Sequence, residues 1–201
     1  MATTPHSLGI VRSGDRDPVP WKNGQGSTRE IARRLLGVRG PHFVWRLSVS
    51  DIERDADFQT FPGVERSAVL IHGDGLTVDV GGAQHPLRPF EPFRFDAAGE
   101  AHARLTHGPA SILNVLTVTN RMSADVKVVD LSTERALSIA GTTLVVLLSG
   151  EAEVYAADGA HGSLAALDAL VARPRVRLVS GTGRAAVIRM ENFRAWRAFS
   201  W

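Results

Sequence analysis

Apolar and polar residues alternate with a period of two along most of this chain. Phe43-Val-Trp-Arg-Leu-Ser-Val-Ser50 sets Phe43, Trp45, Leu47 and Val49 on one face and Val44, Arg46, Ser48 and Ser50 on the other. That is the pattern of a strand with one apolar face and one partly polar face. Arg46 and Ser48 therefore share a face, turned either to solvent or into a pocket. Asp125–Leu131 alternates in the same way. Prolines and glycines punctuate the pattern at short intervals, as the turns of an all-β sandwich or barrel require. Two stretches carry helical features. Ser27 precedes Glu30 by three residues in a capping pattern, and Leu164, Leu167, Leu170 and Val171 have helical spacing. Neither is expected to be a helix. Ser163–Ala172 aligns with Leu87–Phe93, where Pro89 and Pro92 forbid a helix interior. Ser27–Leu36 is read as an irregular segment entering a strand.

The alternation is also organised as a repeat, residues 67–118 and 142–190. Ser67-Ala-Val-Leu-Ile-His-Gly73 leads into Leu76–Val80, and Thr143-Leu-Val-Val-Leu-Leu-Ser-Gly150 leads into Glu151–Tyr155. Each copy then has a turn, Gly81-Gly82 or Asp158-Gly159, and an apolar stretch around an acid, Glu91 or Asp168. Each closes with Arg-Leu-x-x-Gly and an apolar strand, Ser111–Val118 or Arg184–Met190. A duplicated antiparallel unit is one way to build two related barrels. The join at Thr119–Ala124 is short, so the two are expected to share an interface.

Composition narrows the classes. The chain has 201 residues and a formal net charge of +2, with no run of like charge. Nucleic-acid surfaces need clustered cations, so none is expected. There is no cysteine, which excludes disulfides, thiolate metal sites and cysteine nucleophiles. No apolar run reaches the ~18 residues of a membrane span, and the N-terminus lacks a signal-peptide pattern. A cytoplasmic protein is expected.

Candidate chemistry concentrates early. Pro20-Trp21-Lys22-Asn23-Gly24-Gln25-Gly26-Ser27-Thr28-Arg29-Glu30 packs an aromatic ring, two cations, amides, hydroxyls and two glycines into one segment. Its glycines let backbone N–H groups approach a ligand, and Lys22 and Arg29 add positive charge. Its order is not that of a phosphate loop. The alternative is a polar loop closed on itself. A second motif, Phe58-Gln-Thr-Phe61-Pro62-Gly63-Val-Glu-Arg66, places a tight turn before the first repeat. Arg66 is either a solvated strand end, the favoured reading, or a ligand clamp. None of the seven histidines forms His-x-His or His-Glu-x-x-His, and His102 and His107 fall on opposite strand faces. No Gly-x-Ser-x-Gly elbow is present. Asp55 and Asp57 lie in a polar loop and read as solvated. Asn114 stands out inside the apolar strand Ile112–Val118, where a buried amide must find partners. The second repeat has Val187 at that place, which points to a pocket in the first copy.

The run Pro-Trp-Lys-Asn-Gly-Gln-Gly-Ser-Thr-Arg-Glu-Ile-Ala resembles the signature of the HutD/Ves family. Phe43–Ser50, Phe58 to Arg66, Phe95-Asp96 and Arg104-Leu…Gly-Pro…Asn114-Val resemble its later blocks, in order. The resemblance covers most of residues 8–120. It implies an all-β, two-cupin (jelly-roll) chain, with residues 1–120 forming an N-terminal barrel that holds the pocket. Residues 121–201 would form a degenerate second barrel, exchanging a strand with the N-terminal segment. It also implies a bacterial protein encoded near histidine-utilisation enzymes and lacking the usual cupin metal ligands. The implied ligand is a small carboxylate of histidine breakdown, urocanate or N-formylglutamate, bound so as to restrain the pathway. Lys22, Thr28, Arg29, Arg46, Ser48, Arg66 and Asn114 are then candidate contacts, with Asn23 beside them and Trp21 or Trp45 as apolar wall. The chain departs from the family pattern at Gln25, at Gln59-Thr60 and at Ile112-Leu113. Neither cofactor nor metal is expected, and a homodimer is plausible because twofold assembly is the commonest. The rivals are a cupin-type dioxygenase or isomerase acting on a small carboxylate, and a structural protein whose barrel mouth is filled by its own side chains.

Overall fold

Segments with two-residue alternation form strands. The computed structural model describes residues 8–35, 43–139, 143–157, 159–172 and 176–192. The strands begin with β1 (Ile10–Val11), β2 (Val19–Pro20), β3 (Gly26–Arg34) and β4 (Trp45–Ile52). Then come β5 (Ala56–Asp57), β6 (Val64–His72), β7 (Leu76–Val80), β8 (Ala83–Leu87), β9 (Pro92–Asp96), β10 (Ala101–Leu105) and β11 (Ala110–Val118). The remainder are β12 (Met122–Ser132), β13 (Leu137–Ile139), β14 (Thr143–Ala156), β15 (His161–Leu164), β16 (Ala169–Ala172) and β17 (Val176–Asn192). Among the described residues there is no α-helix, and the only helical turn is the 3-10 turn Ser13–Asp15. The stretch after Gly26 is a correction: it is strand from Gly26 to Arg34, not an irregular lead-in to one. A bulge inserts Ile31, a buried residue, between Glu30 and Ala32 and breaks the simple alternation.

Residues 16–124 form one compact unit, and residues 8–15 with 125–190 form another. The first has two antiparallel sheets, ordered β2-β3-β4-β11-β6-β9 and β5-β10-β7-β8. Ile52, Ala68, Leu70, Leu76, Val78, Ala103 and Ile112 meet in its core. The second unit has the sheet β1-β16-β14-β17-β12, with β13 on β17 and β15 on β14. Val145, Leu147, Val154, Leu164, Leu170 and Ala185 pack together there.

The two units use one pairing pattern. In the first, β6 pairs β11 and β9, while β7 pairs β8 and β10. In the second, the long β14 takes the parts of β6 and β7, and β17 those of β10 and β11. The details repeat as well. Ile71 is an extra residue opposite the step from Ser111 to Ile112, and Leu148 is the extra residue opposite the step from Arg184 to Ala185. Two residues later come Gly73 and Gly150, both with positive φ, at 106° and 82°. A Cβ at Gly73 would lie 2.8 Å from the Pro109 carbonyl oxygen, and one at Gly150 would lie 2.1 Å from that of Thr182. Glycine is required at both by crowding and by conformation. Phe90 and Leu167 each sit at φ 66°, and their N–H groups donate to the Leu70 and Leu147 carbonyls.

Candidate functional site

Within residues 16–124 a cavity of about 640 Å³ opens on the inner face of the larger sheet. Strand register explains its floor. Arg46 pairs across to Leu116 and Leu116 to Arg66, forming one row over β4, β11 and β6. One step along, Ser48, Asn114 and Ala68 form the next row. Ser50 continues that face and meets Thr28 of β3. The face with Arg46 and Ser48 is thus the pocket face.

The segment before β3 closes one side. Val19-Pro20 pairs back onto Ser27-Thr28, and Trp21 N–H donates to the Gly26 carbonyl at 2.8 Å. A Cβ at Gly26 would come within 2.2 Å of the Asp51 carbonyl oxygen and 3.2 Å of the Trp21 ring. Gly26 therefore serves close packing of β3 and the indole, rather than backbone contact with a ligand. Trp21 Nε1–H donates to Thr28 Oγ1 at 2.8 Å, the Thr28 and Ser50 hydroxyls are 2.9 Å apart, and Asn114 Nδ2 donates to Ser50 Oγ at 3.2 Å. This chain of bonds orders one wall.

The opposite wall comes from Phe58, Gln59, Thr60 and Phe61. Phe58 N–H donates to the Ala101 carbonyl and Phe61 N–H to that of Ala97, which pins this short strap at both ends. Arg66 lies against it. Its guanidinium sits 4.6 Å from the Phe58 ring centroid and 5.8 Å from that of Phe95, and Nη2 donates to the Gln59 carbonyl at 2.9 Å.

Arg66 is 5% exposed, so the solvated strand-end reading does not hold. Among the described residues no carboxylate pairs with it, and its buried Nε has no hydrogen-bond partner. Burial, and secondarily the charge of Arg46, lower its pKa to about 10. Arg46 is in a different state, because its Nε donates to Glu30 Oε2 at 2.8 Å. Asp57, the one carboxylate among the lining residues, has an 85% exposed side chain and is hydrogen-bonded to His102. The cavity therefore has a positive floor that its own acids do not neutralise. Asn114 adds a buried acceptor, Oδ1, which is likewise unpartnered.

Of the expected site residues, Trp21, Lys22, Asn23, Thr28, Arg46, Ser48, Arg66 and Asn114 line this cavity. Arg29 and Trp45 do not. Arg29 is on the other face of β3, paired with Asp51 at 2.7 Å. Trp45 is buried on the face of β4 opposite Arg46. Ser50, Phe58 and Gln59 were not anticipated as site residues. Ser50 carried a signal, since it shares the alternating face of Arg46 and Ser48. Among the described residues no cluster of three metal-ligating side chains occurs, and no helix is long and apolar enough to cross a membrane.

Comparison with known proteins places this geometry. A conserved protein of unknown function from Pseudomonas aeruginosa superposes with a TM-score of 0.82 at 29% identity, covering 90% of this chain and 97% of that one. HutD from Pseudomonas fluorescens superposes with a TM-score of 0.76 at 29% identity, covering 91% and 97%. A cupin 2 conserved barrel protein from Leptotrichia buccalis aligns at 10% identity with a TM-score of 0.55, covering 87% and 92%, a likeness that makes the all-β fold cupin-like. An uncharacterised 21.2 kDa protein from the hutC 3′ region of Pseudomonas putida is 36% identical over 149 residues, 73% of this chain and 77% of that protein. Protein Ves of Citrobacter koseri is 37% identical over 112 residues, 55% and 58%. The HutD family model matches residues 14–187, and with these relatives it shows that the chain belongs to the HutD/Ves family.

Proposed function

We propose that this chain is a metal-independent receptor for a small carboxylate, with its site in residues 16–124. The natural candidates are urocanate and N-formylglutamate, and the role is modulation of histidine utilisation. Membership of the HutD family and the relative from the hutC 3′ region support that setting. The observation that carries the reading is Arg66. A guanidinium withdrawn from water without a counter-ion is costly, and a bound anion removes that cost. Charge-assisted bonds from Arg66 would hold the carboxylate, with Lys22 at the rim, and Trp21 and Phe58 would cover the apolar part. We further propose that the repeated pairing pattern makes each unit a cupin barrel, and the chain a bicupin with one ligand-bearing copy.

Calorimetry tests the reading. Urocanate or N-formylglutamate should bind and raise the melting temperature, as any ligand of the native state does. Arg66→Ala should weaken that binding at least tenfold. Unchanged affinity in Arg66→Ala removes Arg66 from the site.

A further inference from the structure

We propose that the ligand of this cavity is a carboxylate that also carries a hydrogen-bond donor, an N–H or O–H a few bonds from the carboxylate carbon. The proposal rests on the carboxylate reading above and narrows it. Two buried polar atoms of residues in the floor lack partners among the described residues, Arg66 Nε and Asn114 Oδ1. They are opposite in kind, because a guanidinium nitrogen only donates and an amide oxygen only accepts.

Their residues stand on adjacent strands and face the same way, since Arg66 pairs with Leu116 and Ala68 with Asn114. Diagonal neighbours of this kind have Cα atoms about 7–8 Å apart, within reach of one small molecule. The other end of the Asn114 amide is already committed to Ser50, and through Ser50 to Thr28 and Trp21. Both residues line the cavity, and with Nδ2 committed to Ser50 the unpartnered Oδ1 is the acceptor that the amide has left.

A bare carboxylate satisfies Arg66 and leaves Oδ1 sealed from water without a donor, which carries a desolvation penalty. A ligand with both groups satisfies both atoms. Charge then admits carboxylates as a class, and Asn114 selects among them. A site built around such a bond discriminates strongly against analogues that lack the group.

Two ligand pairs test this by calorimetry on the full chain: urocanate against 3-(2-furyl)acrylate, and N-formylglutamate against glutarate. The second member of each pair keeps the carboxylate and lacks the N–H. The donor-bearing member should bind at least tenfold tighter in at least one pair, and Asn114→Val should abolish that preference. Valine is compatible with the strand, because Val187 pairs with Val145 at the equivalent place in the second copy, and a thermal melt checks folding. Equal affinities within both pairs, or a preference that survives in Asn114→Val, overturn the donor requirement while the carboxylate reading stands. Failure of all four compounds to bind overturns both.

Discussion

The Arg66 guanidinium lies against Phe58 and Phe95, and burial, with the charge of Arg46 second, lowers its pKa to about 10, well below the usual arginine range. Its charged form is thus held in an environment that disfavours it, and the ligand-free protein bears that strain. Replacing buried charged groups by well-packed apolar side chains of similar size is often neutral or stabilising. Arg66→Met should therefore leave the ligand-free protein as stable as before or stabilise it by about 1–3 kcal/mol, while removing carboxylate binding. Urea unfolding with and without ligand measures both. The pH dependence has a defined sign. As pH rises through about 10 the unfolded chain holds the Arg66 proton more tightly than the folded one, so wild-type stability should rise with pH there relative to the methionine variant. None of this was legible locally. In the sequence Arg66 opens a strand, where solvated arginines are common, and its burial comes from aromatic rings on other segments. Thr28 and Arg29 make a similar case. They are chain neighbours on opposite faces of β3, and only the register with Ser50 and Val49 decides which one enters the cavity.

At the scale of elements, the two copies diverge where an acid follows the left-handed residue. Glu91 follows Phe90 and is 63% exposed, 3.8 Å from Arg88. Asp168 follows Leu167 and is buried, accepting hydrogen bonds from Arg12 Nη1, Ser13 N–H and Ala165 N–H. Burial pushes the Asp168 carboxyl up, and the bonds from Ser13, Arg12 and Ala165 outweigh it and hold the carboxyl below the usual range. Asp168 thereby fastens the segment that carries β1 to the turn before β16. Asp168→Asn should cost about 2 kcal/mol of unfolding free energy, whereas Glu91→Gln should change little. Because the folded pKa lies below the unfolded one, the unfolded chain binds more protons in that window. The contribution is present above about pH 4 and lost as pH falls through the depressed value, so acid unfolding of Asp168→Asn should be flatter than that of wild type. The repeat itself was legible, because period-two alternation and glycine spacing are local signals. The matched acids were legible as a pair, but their opposite burial was not. It depends on Arg12 and Ser13, more than 150 residues away along the chain.

The whole molecule uses one strand-pairing scheme twice, and among the described residues Asn114 of the first copy has an apolar counterpart, Val187, in the second. Val187 faces Val145 where Asn114 faces Ala68, and Asn114 is joined to Thr28 and Trp21 by hydroxyl links. Binding should therefore slow amide hydrogen exchange in β4, β6, β11 and residues 57–61, and leave β14 and β17 unchanged. Protection spread equally over both units would place the ligand elsewhere. The unbalanced cation at the bottom of the cup also bears on how the protein is handled at the bench. Acetate, formate and citrate from purification buffers are small anions of the kind Arg66 would accept. Affinities measured after such a preparation would be displacement constants, weaker than the true values. Exhaustive exchange into a zwitterionic buffer, with chloride kept low, is the condition under which a titration would report the ligand rather than the salt it replaces.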